Sequence, residues 1–410
     1  MRKFHRFLVC CVALLILYLV YRYSFRLDSE GNYLFLRRSE EEGSKREPDP
    51  FLTILENTAT GEEGGFGAGL LEPPEANPKR LVNLTDFRYL VSNDICKENG
   101  SYSELLGVIL VTSYVGNDAL RSAHRQAISQ QKLISMGLLR IFSLASIPER
   151  EQFITQKAIE HEQRLFGDLI QGDFLEAYRN LTYKHVMSLK WATEHCRRAR
   201  FVIKMDDDIV FDPFYIQNHL SDLGQQNHGK DSSGRLLAGF VFHNKKVIRL
   251  KANKWFVSRQ EFPKDVYPPY LSGWLYITNQ RTARELVLQS EQVPFFWIDD
   301  TYVTGVLADR LQIQFTGLNK WYSANSEFLD CCIRDMKRHS YQCDYYVGPN
   351  GGNLRLIADF VQELERCYDN ACFQRPSALP LTKTCVAEYK KAVSGREQQG
   401  TAIVSAMRLK

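Results

Sequence analysis

The chain lacks any long run of Lys or Arg. Its 52 basic residues are scattered among 48 acidic ones, for a formal net charge of +4 over 410 residues. That balance makes no electrostatic footprint for a phosphate backbone, so nucleic acid is set aside as a partner. No Cys-x-x-Cys pair occurs; Cys367 and Cys372 are separated by four residues and have no second pair or nearby His, which argues against a zinc site. There is no internal repeat, which excludes a solenoid or propeller. No Asp-x-Asp-x-Thr arrangement is present either, which removes the nucleophile of an aspartyl-phosphate hydrolase. The longest apolar stretch near the N-terminus, Phe7 to Tyr21, falls short of the roughly 20 residues a typical membrane span uses.

That stretch follows Arg2, Lys3, His5 and Arg6, a basic start shared by cleaved signal peptides and uncleaved anchors. The residues after it, Tyr21 to Arg26, contain no small-x-small cleavage pattern, which favours the anchor. Basic residues ahead of the span keep residues 1–6 cytosolic, with a transmembrane signal anchor at 7–24 and the remainder luminal. A short span also suits a thin early-secretory membrane. From Asp28 to Lys79 the chain turns acidic and turn-forming, as in Glu40-Glu41-Glu42-Gly43 and Glu72-Pro73-Pro74-Glu75. Such a segment buries too little apolar surface to fold alone and is expected to be a luminal stem over residues 25–95. Apart from Cys10 and Cys11 in the anchor, the cysteines are Cys96, Cys196, Cys331, Cys332, Cys343, Cys367, Cys372 and Cys385. This even set is compatible with disulfides in an oxidising lumen, in pairings that spacing leaves open. Sequons at Asn83, Asn99 and Asn180 agree with that compartment.

The remaining chain divides into a head over residues 96–330 and a cysteine-rich extension over 331–410. Leu105 to Thr112 and Leu139 to Ala145 are continuous apolar runs of strand length, typical of strands buried on both faces. Ala119 to Met136, Gln152 to Ile170 and Leu181 to Cys196 carry helical spacing, and Phe201 to Met205 predicts another strand. Alternation of this kind predicts an α/β head with a mainly parallel sheet flanked by helices.

Asp206-Asp207-Asp208 directly follows that last strand, where open α/β sheets bind ligands. Three adjacent carboxylates with no local Lys or Arg partner need either solvent, as in an acidic turn, or a hard divalent cation completed by a substrate diphosphate. A second pair, Asp299-Asp300, sits among Phe295, Phe296, Trp297 and Tyr302. Two readings fit it: a carboxylate base for an acceptor hydroxyl, or a helix N-cap. The stretches Asn253 to Ser258 and Tyr267 to Trp274 mix aromatics with Ser and Gly, which suits either sugar stacking or core packing.

The ordered set of these segments resembles the β-1,3-galactosyltransferase and β-1,3-N-acetylglucosaminyltransferase family of animal Golgi enzymes. The matching pieces are Arg121 to Arg125, Phe166-Gly167-Asp168-Leu169, Asp173-Phe174, Tyr178, Asn180-Leu181-Thr182, Lys204 to Phe211, Lys254 to Ser258, Tyr267 to Gly273 and Asp299-Asp300. The resemblance implies a GT-A-type nucleotide-sugar-binding fold, an inverting mechanism, a UDP-sugar donor and Mn2+. It assigns Asp208 and Asp206 to the metal, Asp206 and Asp207 to the donor, and Asp300 to catalytic base with Asp299 as alternate. It further implies a single-pass Golgi membrane enzyme transferring galactose from UDP-galactose in β-1,3 linkage to an acceptor glycan on protein or lipid. UDP-N-acetylglucosamine is the alternate donor, and an inactive luminal chaperone or glycan-binding relative the alternate role. A further metal ligand is unassigned; His339 is a candidate. The chain departs from the family pattern after Arg125, where Gln126-Ala127-Ile128 replaces the usual Thr-Trp, and at Leu271, where the family has Cys before Ser-Gly.

Overall fold

The computed structural model describes residues 88–96, 105–225, 234–369 and 372–385, and separately a short antiparallel ladder of Arg26–Leu27 against Tyr33–Leu34. The expected cytosolic tail, the anchor at 7–24 and most of the stem lie outside the described residues. Among the described residues, no helix is long and apolar enough to cross a membrane. Residues 88–95, expected in the stem, include strand β1 (Tyr89–Val91) at the edge of the main sheet, and Cys96, the first residue of the expected head, is bonded to Cys196.

The central strands are β2 (Gly107–Thr112), β3 (Leu138–Ser146), β4 (Leu169–Leu175) and β5 (Phe201–Asp206). They run parallel in the order β5-β2-β3-β4. β2 is buried at every position, as its unbroken apolar sequence requires. Its residues alternate between two cores: Val108 and Leu110 face one, Ile109 and Val111 the other. Beyond β5 the sheet continues antiparallel through β8 (Tyr270–Asn279) and β7 (Leu237–Phe242), and ends on a short parallel strand, β9 (Thr316–Gly317). A small separate ladder pairs β6 (Ile209–Phe211) with β10 (Val347–Pro349). The expected mainly parallel core flanked by helices is therefore present, with antiparallel strands added at both edges.

Two expected helices are shorter than the sequence pattern suggested. The stretch 119–136 is broken into α1 (Asp118–Ala127) and α2 (Gln130–Ser135), because Ile128 is extended and the Ser129 side chain caps a new helix at the Lys132 amide. α3 (Gln156–Phe166) stops at Gly167, whose φ of 63° is the left-handed conformation that ends helices. Leu169 and Ile170, which the helical periodicity included, start β4 instead. α4 (Leu181–His195) is buried almost all round, and its polar side chains are partnered: Thr182 to Phe296 O, Lys184 to Glu176 and Ser188 to Ser143.

The border expected at 330/331 falls inside a helix, α7 (Ser326–His339), in a chain order where α5 is Pro213–Gln225 and α6 is Gln280–Ser290. α7 and α8 (Leu354–Asp369) share a core with Ala123 of α1 and Val210 of β6. Disulfides Cys331–Cys385, Cys332–Cys343 and Cys367–Cys372 clamp this part, so the cysteines form bridges as expected of an oxidising environment.

Candidate active site

Parallel register puts the acidic turn at the carboxyl edge of the sheet. Thr112 ends β2 opposite Asp206, and the Asp207 amide donates to Thr112 O at 3.1 Å. The three carboxylates then diverge. Asp207 is buried, and its Oδ2 accepts hydrogen bonds from Ser113 Oγ at 2.7 Å and Asn117 Nδ2 at 2.9 Å. Asp208 is exposed, and its carbonyl accepts from the Asn350 amide just past β10. Asp206 does have a basic partner, contrary to the sequence reading: Lys204 Nζ lies 2.6 Å from its Oδ1. Residues two apart on a strand share a face, so the buried Lys204 ammonium is delivered straight to Asp206. Burial at the foot of the cavity drives Asp206 up to about 7; Lys204 pulls it down, and Asp208 and Asp299 push it up again.

The second acidic pair is carried by the start of a π-helix, Thr301–Leu307, an element that recurs at functional sites. Asp300 is itself helical, its Oδ1 accepts from the Thr301 amide at 2.8 Å, and it lines the central cavity. Asp299 Oδ2 accepts from the His185 ring at 3.0 Å and lies 4.0 Å from Lys204 Nζ. Burial opposes ionisation of Asp299, but the His185 bond and the Lys204 charge outweigh it and hold the carboxyl low, at about 2. Asp300 moves the other way, to about 7, through burial and the adjacent Asp299 charge. A carboxylate near 7 is matched to taking a proton at neutral pH.

Gly273 brings the two acidic segments together. It lies in a bulge of β8, where register with β7 shifts between Leu271 and Tyr276, and its carbonyl accepts from Lys204 Nζ at 2.8 Å. A Cβ at this position would stand 3.2 Å from Lys204 Nζ, 3.5 Å from Asp300 Cβ and 3.8 Å from Asp206 Oδ2. Segments about ninety residues apart in sequence therefore meet within one side chain's reach.

All five aspartates line one cavity of about 1530 Å³. Typical single-ligand pockets are roughly 300–1,000 Å³, so there is room for two substrates. Thr112 Oγ1, Tyr267 OH, Trp297 Nε1 and Thr301 Oγ1 belong to lining residues and are buried without a protein partner. Buried polar atoms of that kind call for a ligand or solvent. The third region of the sequence divides between its two readings. Tyr267 and Tyr270 pack in the core, whereas Trp255 donates through Nε1 to Tyr178 OH at 2.7 Å to form a partly exposed aromatic ledge on the cavity wall.

His339 does not join this site. It stacks on Tyr341 at the end of α7 and lines a different, smaller cavity with Arg334, Arg338 and Arg375. No cluster of three or more His, Cys, Asp or Glu placed for a metal is found among the described residues. Asp208 and Asp206 nonetheless offer hard oxygen donors, and the carboxylates of Asp208 and Asp299, which add to the effect of burial on Asp206, suit a divalent cation whose remaining shell comes from substrate and water. Asp207 is turned away, into its bonds with Ser113 and Asn117.

Sequence reasoning gives no role to Lys204, His185 or Tyr276, and includes Gly273 only within the Tyr267 to Trp274 stretch. A two-residue strand period would have paired Lys204 with Asp206. His185 was visible only as one position in a helical stripe, since nothing local announces a partner 114 residues away.

A family model described as Galactosyltransferase matches residues 118–319, a span that contains all five aspartates. Human β-1,3-galactosyltransferase 5 is 30% identical over 268 residues, covering 65% of this chain and 80% of the relative. The Drosophila melanogaster β-1,3-galactosyltransferase brn is 32% identical over 201 residues, 49% of this chain and 58% of the relative. The pig UDP-GalNAc:β-1,3-N-acetylgalactosaminyltransferase 1 is 32% identical over 216 residues, 52% and 63% of the two chains. Among solved structures, the WbbM bifunctional glycosyltransferase overlaps 66% of this chain and 52% of its own, with 12% identity and a TM-score of 0.32, too loose to bear on the fold. The sequence relatives are decisive: the chain belongs to the galactosyltransferase family and is a glycosyltransferase.

Proposed function

We propose that the chain is an inverting, GT-A-type β-1,3-galactosyltransferase that transfers galactose from UDP-galactose to the 3-hydroxyl of an acceptor glycan on protein or lipid. The observation that carries this reading is the meeting of Asp206 and Asp300 around Gly273. A donor-phosphate end and a base end, one carboxylate each, are what a single in-line displacement requires. Asp300 takes the proton of the acceptor hydroxyl, the oxygen attacks the anomeric carbon from the face opposite the nucleotide, and UDP departs. No covalent sugar intermediate is needed. Asp208 and Asp206 would hold a divalent ion, manganese in this reading, which when bound supplies Lewis-acid stabilisation of the departing diphosphate. Asp207 contributes to the donor site by fixing the turn on Ser113 and Asn117 rather than by touching ligand. The Tyr178–Trp255 ledge offers a flat face for the acceptor sugar.

The galactose assignment draws on the names of the relatives, which also include an N-acetylgalactosaminyltransferase. Residence as a single-pass Golgi protein with a luminal head rests on the basic and apolar N-terminus and accords with four disulfides. The competing role, an inactive luminal binder, leaves unexplained why two acidic segments are brought together on one cavity. The test is UDP release by purified protein with manganese, a panel of glycan acceptors and UDP-galactose, UDP-N-acetylgalactosamine or UDP-N-acetylglucosamine. Asp208→Ala is expected to lose metal-dependent donor binding, and Asp300→Asn to keep donor binding while losing transfer. Absence of UDP release with every pair would reject the enzyme, and a preference for another donor would reject the sugar.

A further inference from the structure

His185 is fully buried in α4, and both of its ring nitrogens are bonded: Nδ1 to Asp299 Oδ2 at 3.0 Å and Nε2 to Tyr276 OH at 2.7 Å. The partners fix the tautomer. An ionised carboxylate can only accept, so Nδ1 carries the hydrogen and donates to Asp299. Nε2 is then the acceptor, and Tyr276 O–H donates to it. Burial acts in the same sense at both ends, lowering His185 so that the ring is neutral and raising Tyr276 so that its hydroxyl keeps its proton. Tyr276 is itself fixed in β8, paired with Lys204 on one side and Gly239 on the other. The chain Tyr276, His185, Asp299 thus runs from the sheet to the acidic pair with one arrangement of hydrogens.

We propose that His185 is a positioning residue: by tethering Asp299 through Nδ1–H it holds that carboxylate as a fixed charge and assigns the base role to Asp300 alone. The inference rests on the transferase reading above and settles which of two adjacent carboxylates moves a proton. Asp299 Oδ2 is turned toward His185 with Lys204 beyond it at 4.0 Å, so a proton delivered there would displace a bond already made. Both ring nitrogens are taken by Asp299 and Tyr276, so the ring holds only the first of the two aspartates, while Asp300 Oδ1 accepts from the backbone amide of Thr301.

Two polar replacements separate tethering from filling space. Asn overlays its side-chain amide on Nδ1 and can still donate to Asp299. Gln places its amide where Nε2 stood, toward Tyr276, and leaves Asp299 Oδ2 without the ring donor. The expected result is that His185→Gln lowers kcat by roughly ten- to hundredfold, with KM for the UDP-sugar changed by less than about threefold, whereas His185→Asn returns to within about threefold of wild type. In a double-mutant cycle, His185→Gln added to Asp299→Asn costs little more than Asp299→Asn alone, because both act through one carboxylate. Equal losses in the Asn and Gln variants, or full additivity with Asp299→Asn, would overturn the proposal. A readout independent of turnover is the ¹⁵N spectrum of the imidazole, identified by its loss in His185→Gln. Protonation at Nδ1 supports the tether and protonation at Nε2 removes it. Wild-type protein with no UDP release in any assay would count against the transferase reading, and the spectrum would still decide the tether.

Discussion

Gly273→Ala tests whether the meeting of the two acidic segments matters to chemistry or only to folding. The backbone tolerates the change, since Gly273 is not among the glycines with positive φ. The new methyl would sit 3.2 Å from Lys204 Nζ, against an ordinary contact of 3.4–4 Å, so the ammonium must retreat by a few tenths of an ångström. That ammonium is held at 2.6 Å by Asp206 and 2.8 Å by Gly273 O, so the retreat carries Asp206 with it or lengthens a bond. Replacing Gly by Ala stabilises through the unfolded chain by about 0.4–1 kcal/mol where the backbone permits, which offsets the tight contact. The thermal midpoint is therefore expected to stay within about 3 °C of wild type. Misplacement of about half an ångström at the reacting centre is expected to lower kcat/KM by roughly tenfold, about 1.4 kcal/mol of transition-state stabilisation. The assay is a circular-dichroism melt beside initial rates of UDP release on one preparation. A rate within twofold of wild type would refute the argument. So would a loss of stability large enough to account for the loss of rate.

Two further perturbations address stability. Asp212 is buried and caps α5 by accepting from the Tyr215 amide at 2.8 Å, and burial raises its carboxyl to about 7. Folding thus takes up a proton between about pH 4 and 7, and this group's contribution is full below its unfolded value and lost as pH rises through 7. Asp212→Asn keeps the cap and should flatten that slope, raising stability near pH 7.5 by up to about 4 kcal/mol; urea denaturation at pH 5 and 7.5 would show it, and parallel curves for the two proteins would contradict it. Cys96–Cys196 closes a loop of 100 residues. Replacing both cysteines by Ala is expected to cost about 4.7 kcal/mol by chain entropy, seen as a lower urea midpoint, and an unchanged midpoint would show that the bridge adds no stability.

Much of the head was legible because its signals are local. The strand runs ending at Thr112 and Met205 read correctly since strands buried on both faces must be continuously apolar. The position of Asp206 to Asp208 at the carboxyl end of β5, on the cavity, was legible in the same way, from the strand that leads into them. The misread pieces depend on something distant or on one residue's backbone. Gly167 ends α3 by a single left-handed conformation, and helical spacing carried on past it. Lys204 was passed over because a buried strand is expected to be apolar throughout, yet its charge is satisfied by Asp206 and Gly273 O. The β8 bulge has no signature in Leu271-Ser272-Gly273-Trp274 beyond one glycine, and the cysteine-rich part seemed separate because its core partners, Ala123 and Val210, lie far upstream.

The short ladder between β6 and β10 sets a timetable. Asp208 lies in the turn that leads into β6, whose partner, Val347–Pro349, is made much later, and its carbonyl is received by the amide of Asn350. A chain emerging from the ribosome at about 5–20 residues per second has the acidic turn in hand roughly seven to thirty seconds before the segment that closes over it. During that interval the nucleotide end of the centre has one wall. Two of the three bridges after Asp300 wait longer still, for Cys372 and for Cys385, whereas both cysteines of Cys332–Cys343 precede the closing strand. The acidic turn is thus closed by a segment made well after the residues that define the site.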